Sequence, residues 1–158
     1  MSENWKDIPP EIRALFDDAD ALQKRSGIRH YKLVGREVVP VEHLLQWAQW
    51  YETAERHIAH TEVGEFMVST IFLGLDHGWA PYGRTPILFE TMVYGPPVEE
   101  EILGKKRMMR QFLDYQPRYS TYDEAEAGHH AMCAQITRLL ANSEAVTAKA
   151  LSQAKIRE

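Results

Sequence analysis

Two apolar segments constrain the fold of this chain more than any other feature. They span residues 66–75 and 86–95 and are rich in the β-branched and aromatic residues that favour strands. Both alternating sets of side chains in each segment are largely apolar, which is typical of an interior strand covered on both faces. A loop of about ten residues, 76–85, separates the segments. We therefore predict a long antiparallel hairpin with helices on one face and a second subunit as a candidate cover for the other.

Apolar residues recurring every three or four positions predict three helices, near residues 10–25, 41–54 and 122–141. The third helix has the clearest start, because Thr121 and Glu124 have the spacing of a capping box. These helices supply the apolar stripes needed to cover one face of the hairpin.

Shorter elements are predicted on either side of the hairpin. Residues 31–39 fit a small β-hairpin that turns at Gly35, after which Pro40 fits the first turn of a helix. Residues 98–110 have acids followed by bases and predict a helical turn or a mobile loop. Residues 112–119 predict an edge strand.

These elements predict an α+β fold, with an antiparallel sheet of four to six strands centred on the long hairpin and helices packed mainly on one face. A length of 158 residues is typical of one domain. Within it we expect an N-terminal helical arm over 1–30, an α+β core over 31–141 and a tail over 142–158 that extends the last helix or frays.

Composition excludes several classes of protein. The single cysteine, Cys133, rules out an internal disulfide and a thiolate zinc site, and it favours a reducing compartment. The net charge of −5 disfavours nucleic acid as a partner. No signal peptide or membrane-length apolar run is present, so we expect a cytoplasmic protein with no membrane partner.

The loop between the two long strands is the predicted ligand site. It concentrates acidic, imidazole, guanidinium and aromatic side chains within about ten residues, and loops of that composition often carry function. Glu90 lies in the middle of an apolar strand, where a carboxylate needs a partner, and His129 faces the sheet from the third helix. The predicted ligand-binding residues are Asp76, His77, Trp79, Tyr82, Arg84, Glu90 and His129.

The chemistry of these residues suits a small anionic ligand that resembles a nucleotide. Aromatic rings provide stacking surfaces, and Arg84 with the basic residues 105–107 provides phosphate contacts. Core roles are the alternative: Asp76 and His77 then tie the loop, and His129 is a buried histidine with one hydrogen-bond partner.

If strands 61–76 and 86–95 pair symmetrically, Glu90 lies opposite Phe72 on the face of Asp76.

A metal-assisted hydrolase is a competing hypothesis. Its ligands would be Asp76, His77, Glu90 and His129, and the metal would acidify a bound water. His57 and His60 are not expected to form a metal pair, because residues three apart on a strand point to opposite faces. Cys133 lies on an apolar helical face, which disfavours a nucleophilic thiolate. No catalytic residue, resident metal or cofactor is therefore assigned.

Four segments of the chain form a specific combination: TEVG at 61–64, VSTIFLGLDH at 68–77, LFETM at 88–92 and a serine–threonine pair followed by EA and GH at 120–129. Together they resemble an uncharacterised family of small phage and prophage proteins. The resemblance implies phage origin and action in a bacterial cytoplasm, and it supplies no catalytic residues. The matching residues that could perform chemistry are Glu62, Asp76, His77, Glu90 and His129.

We expect a small accessory protein that acts as a binding module. It would form a homo-oligomer and sequester a small anionic ligand or inhibit a host protein. The metal-assisted hydrolase and a virion or assembly component remain the alternatives.

Overall fold

The computed structural model describes residues 9–26, 28–76, 85–114 and 116–155, and these form three helices and eight strands. The helices are α1 (Pro10–Ser26), α2 (Leu44–Thr53) and α3 (Tyr122–Lys155). The strands are β1 (Arg29–Val34), β2 (Glu37–Val41), β3 (His57–Val63), β4 (Phe66–Phe72), β5 (Leu75–Asp76), β6 (Phe89–Ile102), β7 (Lys105–Leu113) and β8 (Arg118–Tyr119). Antiparallel strands and three helices occur together, so the predicted α+β class is confirmed.

The strands form two antiparallel sheets. The larger sheet has the order β3-β4-β6-β7, with β8 also paired to β6, and the smaller has the order β2-β1-β5. The predicted long hairpin is confirmed as the pairing of β4 with β6, in which Met67 lies opposite Tyr94. Five strands in the larger sheet agree with the predicted number, whereas the separate three-stranded sheet was not predicted.

One face of the larger sheet, called here the covered face, carries the core. Val68 and Val93 on this face pack against Met132 and Ile136 of α3. Near the other end of β4, Phe72 belongs to a second apolar cluster that includes residues of the small sheet and Trp50 of α2. The predicted packing of helices on mainly one face is therefore confirmed.

A capping box begins α3, as predicted. The Thr121 hydroxyl accepts a hydrogen bond from the Glu124 amide at 3.2 Å, and the Glu124 carboxylate accepts one from the Thr121 amide at 3.1 Å. These hydrogen bonds from backbone amides lower the pKa of Glu124. The helix then continues to Lys155 and includes most of the predicted tail.

Asp20 of α1 caps α2 from outside that helix. Its carboxylate accepts hydrogen bonds from the Leu44 amide at 2.8 Å and pairs with His43 at 3.0 Å. A carboxylate at a helix N-terminus satisfies a free amide and complements the helix dipole. This contact holds the N-terminal arm against the core.

No helix in the described part of the chain is both long and apolar enough to cross a membrane.

Three local predictions were wrong because pairing between strands overrode local patterns. Pro40 lies in β2 opposite Tyr31 rather than in a helix. The strand predicted over residues 61–76 is divided by a turn at Gly64, whose positive φ of 60° suits glycine. Residues 98–110 form the paired ends of β6 and β7 rather than a helical turn or loop.

The predicted opposition of Glu90 and Phe72 was also wrong. Glu90 lies opposite Ile71, and Phe72 lies opposite Phe89. A shift of one residue moves a side chain to the other face of a sheet, so Glu90 points away from the covered face.

We predict that Gly128→Ala destabilises the protein by about 1–3 kcal/mol. A Cβ at position 128 would overlap the ring and hydroxyl of Tyr119, which outweighs the helix-propensity gain of about 1 kcal/mol. Urea unfolding measures the change. In a Tyr119→Ala background the same substitution should be neutral or stabilising, and an equal loss in both backgrounds would show that the Tyr119 contact is not the cause.

Candidate functional site

His129 lies in a buried polar network between α3 and the covered face. Only 1% of the residue is exposed, and its two ring nitrogens each lie 2.9 Å from a threonine hydroxyl, those of Thr61 and Thr70. Thr70 continues the network to Thr91 at 2.7 Å. The chain thus links α3 to β3, β4 and β6 through hydrogen bonds as well as apolar contacts.

Burial lowers the pKa of His129, and the nearby His130 and His60 lower it further. A neutral imidazole donates from one nitrogen and accepts at the other, which matches two threonine hydroxyls that can each take either role. Both ring nitrogens are occupied by the protein, so His129 is a core residue that joins helix and sheet.

The opposite face of the larger sheet, called here the open face, contains a depression of about 480 Å³. No described helix packs on this face, since α3 and the small sheet lie on the covered one. The depression is lined by residues of the α2–β3 connection and of three neighbouring strands: Ala54, Glu55, Arg56, His57, His60, Met67, Ser69, Ile71, Met92 and Tyr94.

A β-bulge brings His57 and His60 to the same face, contrary to prediction. The register of β3 with β4 shifts between His57 and Ala59, so that His57 lies opposite Ile71 and His60 lies opposite Ser69. One extra residue in a strand reverses the alternation of the side chains beyond it. Both imidazoles therefore line the depression.

The floor of the depression is mainly apolar and its rim is polar. Met67, Ile71 and Met92 contribute sulfur and aliphatic surface, while Tyr94 contributes an aromatic ring. Ser69, which is 6% exposed, contributes an aliphatic hydroxyl to the floor. Small-molecule sites usually combine such an apolar surface with a few polar groups.

Glu55 orients His57 at the rim. Its carboxylate accepts a hydrogen bond from the His57 amide at 2.9 Å and lies 3.0 Å from the ring Nδ1. The hydrogen bond from the His57 amide is the main cause that lowers the pKa of Glu55, and the contact with the His57 ring lowers it further. Because Nδ1 is bound to Glu55, Nε2 is the nitrogen left to meet a ligand.

Arg56 is held on the side of the depression. Its guanidinium lies 3.9 Å from the centre of the Tyr51 ring and donates to the Phe72 carbonyl at 3.3 Å. A cation–π contact of this kind fixes the charge without neutralising it. Arg56 thus places a positive charge beside His57.

The described residues of the predicted site do not meet. The Asp76 carboxylate pairs with Arg29 at 2.5 Å, at the junction of β5 and β1. Glu90 is buried on the open-face side of β6 and pairs with Arg118 at 2.7 Å, whereas His129 lies beneath the covered face. His77, Trp79, Tyr82 and Arg84 lie outside the described residues.

The ion pairs of Asp76 and Glu90 explain why these carboxylates tolerate burial. Each is 6% exposed, and each has an arginine as partner. Within the described ranges, no three histidine, cysteine, aspartate or glutamate residues are grouped so that they could hold a metal ion.

Part of the open-face site could have been found from the sequence. Alternation places Met67, Ser69 and Ile71 on one face of β4, and Met92 and Tyr94 on one face of β6. The two histidines could not have been found, because the bulge that redirects them has no glycine or proline to mark it.

No protein-family model, curated protein or solved structure matches this chain. The resemblance to phage and prophage proteins remains a prediction.

We predict that the protein loses stability as the pH falls below 6.5, the ordinary pKa of histidine. Because the folded pKa of His129 is lowered, the unfolded state binds a proton first. The stabilisation that neutral His129 provides is complete above pH 6.5. It declines as the pH falls towards the lowered pKa of the folded state, by at most about 1.4 kcal/mol per pH unit for this one group.

Urea unfolding at about pH 7.5 and about pH 5.5 tests this linkage. The difference between the two pH values should shrink in His129→Gln. Some dependence should remain, because burial also lowers the pKa of His30. An unchanged difference in His129→Gln would refute the assignment to His129.

Proposed function

We propose that this protein is a binding module that holds a small ligand in the depression of the open face. The observation that supports this most directly is the asymmetry of the larger sheet, in which one face is packed with core and the other retains a depression of about 480 Å³. That volume lies within the range of small-molecule sites.

The lining favours a ligand with a flat aromatic body and an anionic or hydrogen-bonding edge. Tyr94 and the sulfurs of Met67 and Met92 suit an aromatic ring. His57, His60 and Arg56 lie along the rim, where an anionic group would meet donors and positive charge. A nucleotide-like ligand combines both features.

The proposal extends to the biological setting. The resemblance to phage and prophage proteins supports an accessory protein of phage origin that acts in the cytoplasm of a bacterial host. Sequestering a small anionic ligand is the role that the depression supports best. A homo-oligomer, and inhibition of a host protein, are parts of the same proposal that rest on the exposed apolar surface of the fold.

No observation favours the competing hydrolase. Asp76 and Glu90 are each engaged by an arginine, and His129 is engaged by two threonines on the covered face. On the open face, Ser69 lies opposite His60 in the register, but no hydrogen bond found in the described residues joins their side chains. An activated nucleophile would require that contact.

We predict that His57→Ala and His60→Ala each weaken binding of adenosine monophosphate by about tenfold or more. Both histidines are exposed, so their loss should change stability by no more than about 0.5 kcal/mol. Isothermal titration measures the affinity, with adenosine as the uncharged probe. His130→Ala is the matched control, because His130 is an exposed histidine on α3.

Native mass spectrometry of the freshly purified protein complements the titration by reporting any bound small molecule and the subunit number. Equal affinity of wild type, His57→Ala and His60→Ala for the probe would remove the two histidines from the site. A protein that carries no small molecule and binds neither probe would contradict a nucleotide-like ligand.

A further inference from the structure

The outer ends of β6 and β7 form a two-stranded ribbon, Pro97 to Arg110, that extends beyond the rest of the larger sheet. The pairing of β4 with β6 ends where Met67 meets Tyr94, and beyond that point the described strands of the ribbon pair with each other alone. A two-stranded ribbon without a covering layer is marginal in water. It is therefore an unusual place for apolar side chains.

The ribbon region nevertheless concentrates exposed apolar side chains. Seven of the thirteen large hydrophobic residues found exposed in the described chain lie between positions 98 and 113. They are Val98, Ile102, Leu103, Met108, Met109, Phe112 and Leu113. Concentrated apolar surface of this kind marks interaction sites.

The turn at the tip of the ribbon also exposes an apolar side chain, and its backbone conformation is strained for that residue. Leu103 is 98% exposed and has a φ of 52°, and Gly104 follows with a φ of 74°. Asparagine or glycine adopts this left-handed conformation more easily than leucine. A leucine here contributes nothing to packing within the chain, so its apolar side chain is available to a partner.

The outer edge of β7 has unpaired backbone groups. Within the described residues β7 is the last strand in its sheet, and its inner edge pairs with β6. Ile102 and Lys105 flank the two-residue turn and form a hydrogen-bonded pair, so alternate residues bond inwards. Lys106 and Met108 therefore present their amides and carbonyls to the outer edge.

The charges of the two strands differ in sign. β7 contains four cations and no carboxylate, whereas β6 carries acids at 99–101. Lys106 already pairs with Glu99 and Arg110 with Glu62, whereas the described residues show no ion pair for Lys105 or Arg107. Lysines on an edge strand oppose pairing with an identical strand. The charges of Lys105 and Arg107 favour an acidic strand, because opposite charges on neighbouring strands attract.

We propose that the outer edge of β7 binds an extended acidic segment of a partner protein as an added strand. The added strand would satisfy the outward backbone groups of β7 and place carboxylates beside its cations. With the acids on the face of Lys105 and Arg107, the apolar residues that alternate with them lie on the opposite face and would cover Met108, which is 63% exposed. This surface is separate from the depression and does not depend on the ligand proposed for it.

A synthetic peptide of about seven residues that alternates glutamate and valine is the probe. Its fluorescein-labelled form should bind the full-length protein in an anisotropy titration, and added salt should weaken it. A lysine–valine peptide of the same length should bind at least about tenfold more weakly. Equal binding of the two peptides, or no binding of either, would overturn the proposal.

Two pairs of variants locate the binding to the edge. Met108→Pro removes an outward amide that makes no hydrogen bond to β6, and it should weaken binding of the glutamate–valine peptide by about tenfold. Met108→Ala keeps the amide and should bind the peptide more tightly than Met108→Pro. Lys105 lies opposite Ile102, so its substitution breaks no ion pair across the ribbon. Lys105→Glu should weaken peptide binding more than Lys105→Gln. Wild-type affinity in both Met108→Pro and Lys105→Glu would refute the site.

Sedimentation separates a foreign partner from a second copy. The proposal expects the same subunit number for wild type and Met108→Pro, with circular dichroism showing that the variant is folded. An oligomer that dissociates in Met108→Pro would instead show that the edge pairs with another copy of this chain, and would overturn the proposal.

Discussion

The hydrogen-bonded network of His129 with Thr61, Thr70 and Thr91 fixes how the helical and sheet layers meet. Four polar side chains lie inside an apolar interface, where an unpaired group would cost about 1–3 kcal/mol. They satisfy one another only when α3 lies across β3, β4 and β6 in one position and one rotation. Apolar packing alone tolerates small slips of a helix on a sheet, whereas this network does not.

The position of α3 has a consequence for the other side of the sheet. Because α3, α2 and the small sheet all cover one face, the apolar residues that alternate to the opposite face remain accessible. That surface combines apolar residues such as Met67 and Met92 with polar residues such as His57 and His60. Small-molecule sites often combine such methionine, tyrosine and histidine side chains, which supports the proposed ligand site. The same architecture that stabilises the fold therefore leaves the depression uncovered.

The ribbon and the depression are different kinds of surface. The depression is concave, lies on a well-supported part of the sheet and is bordered by side chains held in place by Glu55 and Tyr51. The ribbon extends beyond the rest of the sheet, pairs only within itself and carries its polar groups along a backbone edge. Rigid concave sites suit small molecules, whereas exposed strand edges suit extended chains. The two proposed ligands therefore differ in kind and would contact different residues.

The sequence by itself determined the class of fold and much of its core. Alternation identified the central strands, three-to-four spacing identified the helices, and the capping box located the start of α3, because each of these signals depends on near neighbours in the chain. Tertiary structure alone decided what lies across space. The bulge that turns His57 and His60 to one face, the arginine partners of Asp76 and Glu90, and the pairing that makes residues 98–110 a ribbon all depend on contacts between distant residues. Local patterns cannot encode such contacts, since register and charge pairing are set when separate strands meet.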